Sequence, residues 1–366
     1  MPETLPSSPA NHPETARTYR IAAIPGDGVG QEVLPAAVEI IDQLGDAYGF
    51  GVRWDQYDWN CARYQQTGTL LPDDGLDRLA EADAIFLGAV GFPGVPDHVS
   101  LWGLLIPIRQ HFRQYVNSRP IRSFPGVTGP LRGAPEFDVL LVRENNEGEY
   151  TRVGGRVYPG TDDEVVVQSA IFTRRGVERI MRYAFEQARS RSGRLASATK
   201  SNGIVHSMPF WDEIGRAVAA DFPDVEYTEY HIDALAAQLV LSPDRFDVIV
   251  GSNLFGDILS DLGAALMGGI GMAPSGNIAP DRSQVSMFEP VHGSAPQIAG
   301  RGIANPVGQL LSAAMMLRHL GEALAADALD TAVQQVLADP AGHTPDLGGE
   351  ATMASVCGLV AQRLRD

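Results

Sequence analysis

Short apolar runs alternate with segments of helical period along this chain, and that alternation limits its fold more than any other feature. Tyr19 to Ile24 is an apolar run ending in Pro25-Gly-Asp-Gly28-Val-Gly30, after which Val33, Ala37, Ile40, Ile41 and Leu44 recur at helical spacing. Strand, glycine turn and helix are expected in that order. Asp83 to Gly88 is a second buried strand with a glycine- and proline-rich loop to Pro96, and Asp138 to Val142 is a third. Val165 to Gln168, Val225 to Ile232 and Asp247 to Val250 read as further strands. A helix from Arg174 to Arg189 fits a 3.6 period through Val177, Ile180, Met181, Ala184 and Phe185. Strands parted by helices imply an α/β protein with a largely parallel sheet.

At 366 residues two domains are expected on a prior of roughly 150 residues each. A net charge of -17 opposes nucleic acid or an anionic membrane as a partner, since both demand a basic face. Cys61 and Cys357 lie far apart without metal-ligand spacing, so a reducing cytoplasm fits. Met1 to Thr18 is rich in Pro, Ser and Glu without an apolar stretch, and reads as a disordered extension. No apolar run approaches the roughly 18 residues of a membrane helix.

Lys200 is the only lysine, set against 27 arginines. A lysine ammonium can give up its proton where a guanidinium does not, so a lone lysine is either a candidate general base or a surface residue that survived by chance. Asp257 and Asp261 stand four apart on a helix that is apolar almost all round, through Leu254, Phe255, Ile258, Leu259, Leu262 and Leu266. Such pairs are usually solvated. On a mostly buried helix, a divalent cation relieves the repulsion, and all-oxygen ligation suits Mg²⁺ or Mn²⁺. Asp233, at the end of a strand, is a candidate third carboxylate. Arginines within reach would hold carboxylates through paired hydrogen bonds. The glycine turn Gly26 to Gly30 is a weak nucleotide signal, because its spacing is GxGxG and no acid closes a clear second strand about 20 residues on.

These residues resemble the metal-dependent β-decarboxylating dehydrogenases, the family of isopropylmalate and isocitrate dehydrogenases. The resemblance runs from Tyr19 to the C-terminus. It rests on GDGVGQE (Gly26 to Glu32), RENNEGEY (Arg143 to Tyr150), ATKSNG (Ala198 to Gly203), SNLFGDILSDL (Ser252 to Leu262) and EPVHGSAP (Glu289 to Pro296). It implies a two-domain isopropylmalate-dehydrogenase-like fold with a mixed, largely parallel sheet, not a Rossmann fold. Residues 19–114 with 268–366 would form the cofactor-binding domain, and 115–267 an inserted domain for dimerisation, metal and substrate.

The same resemblance implies roles. Asp257 and Asp261 would ligate the metal with Asp233 of the partner subunit, and Arg109, Arg119 and Arg143 would bind substrate carboxylates. Lys200, also from the partner, would be the base, and Tyr150 the acid. Asp233 belongs to the catalytic set as well. NAD would lie against Glu289, His292, Gly293, Ser294, Ala295, Gln297, Ile298 and Asn305. NAD-linked relatives have an acid where Gln297 stands, while Ile298 and the absence of a lysine there oppose a phosphate pocket. HVSLWG (His98 to Gly103), YVNSRP (Tyr115 to Pro120) and IFTRRGVERI (Ile171 to Ile180) look most like the branch acting on tartrate and D-malate, whose tartrate enzymes suggest a monovalent cation such as K⁺. Trp102, seven before Arg109, stands where isopropylmalate enzymes carry an acid. The expected activity is NAD-dependent oxidative decarboxylation of a small (2R)-2-hydroxy diacid by a cytoplasmic homodimer. The rival within the family is 3-isopropylmalate oxidation. A rival of another class is an inactive regulatory relative, against which the full set of chemical residues argues.

Overall fold

Two groups of parallel strands meet across an antiparallel seam. The computed structural model describes residues 17–133 and 135–365. Its strands are β1 (Arg17–Gly26), β2 (Phe50–Gln56), β3 (Ala84–Ala89), β4 (Val116–Arg122), β5 (Asp138–Glu144), β6 (Gly154–Val157), β7 (Val165–Gln168), β8 (Arg194–Thr199), β9 (Glu226–His231), β10 (Val248–Gly251), β11 (Pro274–Ile278) and β12 (Ser286–Pro290). Ten of them form one sheet in the order β2-β1-β3-β12-β11-β4-β5-β10-β8-β9. The first four pair in parallel, as do the last four. Between these wings β11 runs antiparallel to both β12 and β4, and β4 antiparallel to β5. The expected mixed, largely parallel sheet is present, and its order is not that of a Rossmann fold.

The helical periods read from the sequence bury the faces they should. The helix Gly30–Tyr48 buries Val33, Ala37, Ile40, Ile41 and Leu44. Arg174–Ser190 buries Val177, Ile180, Met181, Ala184 and Phe185, and its first turn is capped by Thr173, whose Oγ1 accepts from Gly176 N at 3.0 Å. One apolar core reaches from Tyr19 and Phe86 in the first wing to Leu195 and Val248 in the second. Among the described residues no helix is long and apolar enough to cross a membrane, and Cys61 and Cys357 are both free.

Two expectations change, and one expected strand forms outside the main sheet. β1 begins at Arg17, so Arg17 and Thr18 of the expected extension pair with Phe50 and Gly51; residues 1–16 lie outside the described residues. Val165 to Gln168 is a strand, but it pairs only with β6 in a hairpin apart from the main sheet. Its β-branched residues suit a strand without needing burial, and Val165, Val166 and Val167 are all more than half exposed. The helix Asn253–Leu266 is not buried all round: Ile258 is 54% exposed, and the Asp261 side chain 58%.

That helix starts on Ser252, whose Oγ accepts from Phe255 N and donates to Glu149 Oε1 at 2.8 Å, while Glu149 Oε2 accepts from Leu254 N at 3.0 Å. A carboxylate at the N-terminus also meets the positive end of the helix dipole. One turn in, Gly256 lets the helix lie directly on β5. A β-carbon there would come within 2.6 Å of the Arg143 Cβ and 3.1 Å of its Cα. Alanine improves helix propensity by about 1 kcal/mol, yet overpacking against immobile backbone costs about 1–3 kcal/mol. Gly256→Ala is therefore expected to lower stability by calorimetry, on the order of 1 kcal/mol net. It should also lower kcat, because Asp257 moves with the helix.

Candidate active site

RENNEGEY begins on the last two residues of β5 and ties that strand to two helices. Glu147 accepts from Thr173 N and Oγ1, both at 2.8 Å, at the start of the helix Arg174–Ser190. Glu149 anchors the helix Asn253–Leu266. Arg143, 2% exposed, donates through Nη1 to Asp257 Oδ1 and through Nη2 to Asn253 Oδ1 at 2.7 Å. Tyr150 Oη donates to Asp257 Oδ2 at 2.7 Å. Arg119, from β4, brings Nη1 to 3.3 Å from Asp257 Oδ1, 2.5 Å from Ser260 Oγ and 3.7 Å from Asp261 Oδ1. Three of the expected site residues, Arg119, Arg143 and Tyr150, thus gather around the Asp257 carboxylate, and Asp261 stands near Arg119.

The electrostatics follow from burial and charge. Burial pulls the Arg143 guanidinium down to about 9, assisted by the neighbouring Arg119 charge and opposed by Asp257. Burial works to raise the Asp257 carboxyl, but Arg143 and Arg119 outweigh it and hold it below the ordinary range. Asp261 is pushed up by desolvation, against Arg119 and with the help of the Asp257 charge. Burial and the hydrogen bond to Asp257 raise the Tyr150 hydroxyl to about 12, so it keeps its proton at neutral pH. Two carboxylates one helical turn apart, one of them disfavoured as an anion, form an oxygen donor set suited to a hard divalent cation.

Lys200 and Asp233 form a second group. Lys200 follows β8 and Asp233 opens the helix Ile232–Leu241 after β9, so both stand at the carboxyl ends of adjacent parallel strands. Lys200 Nζ donates to Asp233 Oδ1 at 2.6 Å, and that bond foremost holds the Asp233 carboxyl below its usual range. No bond links this pair to Asp257 or Asp261. Among the described residues no three His, Cys, Asp or Glu side chains of one chain stand together as a metal site.

The expected cofactor segment begins at the end of β12. Glu289 is buried and its Oε1 accepts from Arg109 Nη2 at 2.8 Å, which draws it into the arginine network. His292 shares Nδ1 with Gly293 O at 2.9 Å, while its buried Nε2 has no partner. At Gly293 a β-carbon would meet nothing within 4 Å; the same holds at Gly300 and Gly302, both at positive φ. An open glycine cradle beside an orphaned ring nitrogen fits a nucleotide that brings its own hydrogen-bonding groups. Ala295 is also at positive φ, 40°. Ile298 packs with Val29, Val33 and Ala304, Gln297 is exposed, and Asn305 Oδ1 accepts from Val307 N at 3.0 Å where the helix Val307–Leu320 begins. Gly28 lies against this segment, where a β-carbon would strike Ser294 O at 2.0 Å, and Val29 N donates to that oxygen at 2.8 Å. The glycine turn is shaped by the protein's own backbone.

Sequence reasoning missed Asn117, Asn253, Ser260 and Asn277, which bond directly to the assigned residues. Single amides and hydroxyls carry no spacing signal. It also missed Arg152, whose guanidinium lies 4.8 Å from the Trp102 ring centroid.

Residues 20–360 match the family described as isocitrate/isopropylmalate dehydrogenase. The chain is 51% identical over 354 residues to a probable tartrate dehydrogenase/decarboxylase of Bacillus subtilis (strain 168), covering 96% of this chain and 99% of that one. It is 50% identical over 356 residues to the decarboxylating D-malate dehydrogenase of Escherichia coli (strain K12), covering 94% and 98%. The crystal structure of isocitrate dehydrogenase from Methylococcus capsulatus superposes with a TM-score of 0.86 at 37% identity, over 95% of this chain and 100% of that one. This chain therefore belongs to the isocitrate/isopropylmalate dehydrogenase family, a family of decarboxylating dehydrogenases.

Proposed function

We propose that this protein is an NAD-dependent, Mg²⁺- or Mn²⁺-requiring oxidative decarboxylase of a small (2R)-2-hydroxy diacid, D-malate or a tartrate. The observation that carries the reading is the gathering of Arg119, Arg143 and Tyr150 on Asp257, a set suited to binding the substrate's carboxylates, donating a proton and holding a metal. Relatives named for tartrate and D-malate support the substrate class. Trp102, covered by Arg152, supports a small substituent at C3 by filling the position seven before Arg109.

When bound, the divalent cation supplies Lewis-acid polarisation and NAD the hydride acceptor. Asp257 and Asp261, with Asp233 of the partner subunit, would hold the cation; His292, Gly293, Ser294, Ala295, Gln297, Ile298 and Asn305 would line the nucleotide. Arg109, Arg119 and Arg143 hold the diacid's carboxylates. Lys200 of the partner subunit takes the proton from the C2 hydroxyl as hydride leaves C2. After CO₂ departs, Tyr150 delivers its proton to C3, which with malate yields pyruvate. Support for a shared site comes from exposed apolar side chains on the very elements that carry these groups: Ile204 and Val205 beside Lys200, Leu241 on the Asp233 helix and Ile258 on the Asp257 helix. The exposed valines of the β6–β7 hairpin support a homodimer too. The wings on either side of the seam support a cofactor domain of residues 19–114 with 268–366 and an inserted domain of 115–267.

Steady-state kcat/KM for D-malate, tartrate and 3-isopropylmalate, each with NAD and NADP, tests this. Reduction of NAD should be fastest with D-malate or tartrate, be abolished by EDTA and return with Mn²⁺ or Mg²⁺. Preference for 3-isopropylmalate would make the leucine-pathway activity the correct one, and no metal-dependent turnover of any diacid would make the protein an inactive relative. Lys200→Arg keeps charge and bulk but removes the base, so kcat should fall by about 10² or more. A variant retaining more than about a tenth of wild-type kcat would remove Lys200 from that role.

A further inference from the structure

In the middle of the seam, β11 carries Asn277, a carboxamide with no exposed surface. Its Nδ2 donates to Glu289 Oε1 at 2.7 Å, the same oxygen that accepts from Arg109 Nη2 at 2.8 Å. Its Oδ1 accepts from the Nδ2 groups of Asn117 and Asn145, each at 2.9 Å. Asn117 Oδ1 in turn accepts from Arg119 Nε at 2.5 Å. One side chain therefore joins two arginines, reaching Arg109 through a carboxylate and Arg119 through a second amide.

The surroundings fix which way Asn277 points. A flipped amide would set Nδ2 against two donors and Oδ1 against a carboxylate. Strand register explains the placement: Asn277 pairs with Asn117, and Asn117 pairs with Arg143. The row crosses the seam. Arg109, in the helix Ile106–His111, approaches from the side of the first wing, while Arg119 and Arg143 belong to β4 and β5. A buried amide is tolerated where its hydrogen bonds are made, and the Asn277 carboxamide makes bonds at both ends, while Arg109 Nε and Asn145 Oδ1 beside it have no partner.

We propose that Asn277 is a positioning residue for substrate recognition: its carboxamide sets the Arg109 guanidinium at a fixed place relative to Arg119, so that both meet the diacid's carboxylates together. This rests on the reading that these arginines bind a hydroxy diacid. Asn277 itself touches no reacting atom and acts through Glu289 and Asn117.

Two variants of the full-length enzyme test it. Asn277→Ala removes the link. Asn277→Asp preserves its size but brings a carboxyl against Glu289; two acids so close share one proton and repel once both ionise. Steady-state kinetics are run with D-malate and NAD varied in turn, between about pH 5.5 and about pH 9. In N277A the KM for D-malate should rise on the order of tenfold, with the KM for NAD within about threefold of wild type. In N277D the KM for D-malate, taken as its ratio to wild type at each pH, should lie near one at the acid end and climb with pH; ionisations that both enzymes share, such as that of Arg143, cancel in the ratio. A merely structural role would lower Tm and kcat while leaving the KM for D-malate within about threefold at every pH in both variants, and that result overturns the proposal. If N277A does not fold, the pH profile of N277D decides by the same criterion. If the wild type turns over no diacid, the proposed reaction fails separately, and a thermal-shift titration with D-malate decides positioning. Stabilisation of wild type well above that of N277D at high pH upholds it; equal or no stabilisation overturns it.

Discussion

A guanidinium as buried as that of Arg143 needs a counter-charge, and Asp257 provides it while also serving Arg119 and Tyr150. Most of what surrounds the site keeps that one carboxylate in place. Gly256 lets the helix lie on β5, Glu149 and Ser252 fix where the helix begins, and Asn253 grips the far side of the Arg143 head. Three arginines, Arg109, Arg119 and Arg143, thus stand among three carboxyl groups, those of Asp257, Asp261 and Glu289, beside a tyrosine that keeps its proton.

The seam gives this cluster its setting. Parallel wings place loops and helix starts at their carboxyl ends, which is where RENNEGEY, Lys200, Asp233 and Ser252 stand within the second wing. The antiparallel strands β11 and β4 then carry polar side chains through the centre of the sheet, where a row of amides ties the helix of Arg109 to the arginines of the second wing. The Lys200 and Asp233 side chains bond to each other on a surface that also exposes Ile204, Val205 and Leu241.

How much of this was legible depends on whether apolar residues carry the pattern. The apolar faces of the helices Gly30–Tyr48 and Arg174–Ser190 are legible in the sequence, because most of their buried positions are aliphatic or aromatic at a 3.6 period. β4 and β11 do not: Val116-Asn-Ser-Arg-Pro-Ile-Arg122 and Pro274-Ser-Gly-Asn-Ile278 bury Asn117, Ser118, Arg119, Ser275 and Asn277, and polar burial defeats hydrophobic alternation. Val165 to Gln168 forms the strand that its three valines announce, but in an exposed hairpin whose place outside the main sheet the pattern does not mark. Motif likeness named Arg143, Tyr150, Lys200, Asp257 and Asp261, four of which the fold brings near one another while Lys200 stands with Asp233. It could not show that Glu289, counted with the nucleotide, is bonded to Arg109, because that pairing joins residues far apart in the chain.

The central claim is that each active site is completed by Lys200 of a second chain. Hybrid dimers test it most directly: Lys200→Met and Asp257→Asn homodimers, each inactive, are unfolded together and refolded as a mixture. If the site is shared, every hybrid holds one site with both lesions and one with neither, so random reassembly should restore about a quarter of wild-type activity. A mixture that stays as inactive as its parents, although hybrids are shown to form, would contradict the account and confine Lys200 and Asp257 to separate roles within one chain.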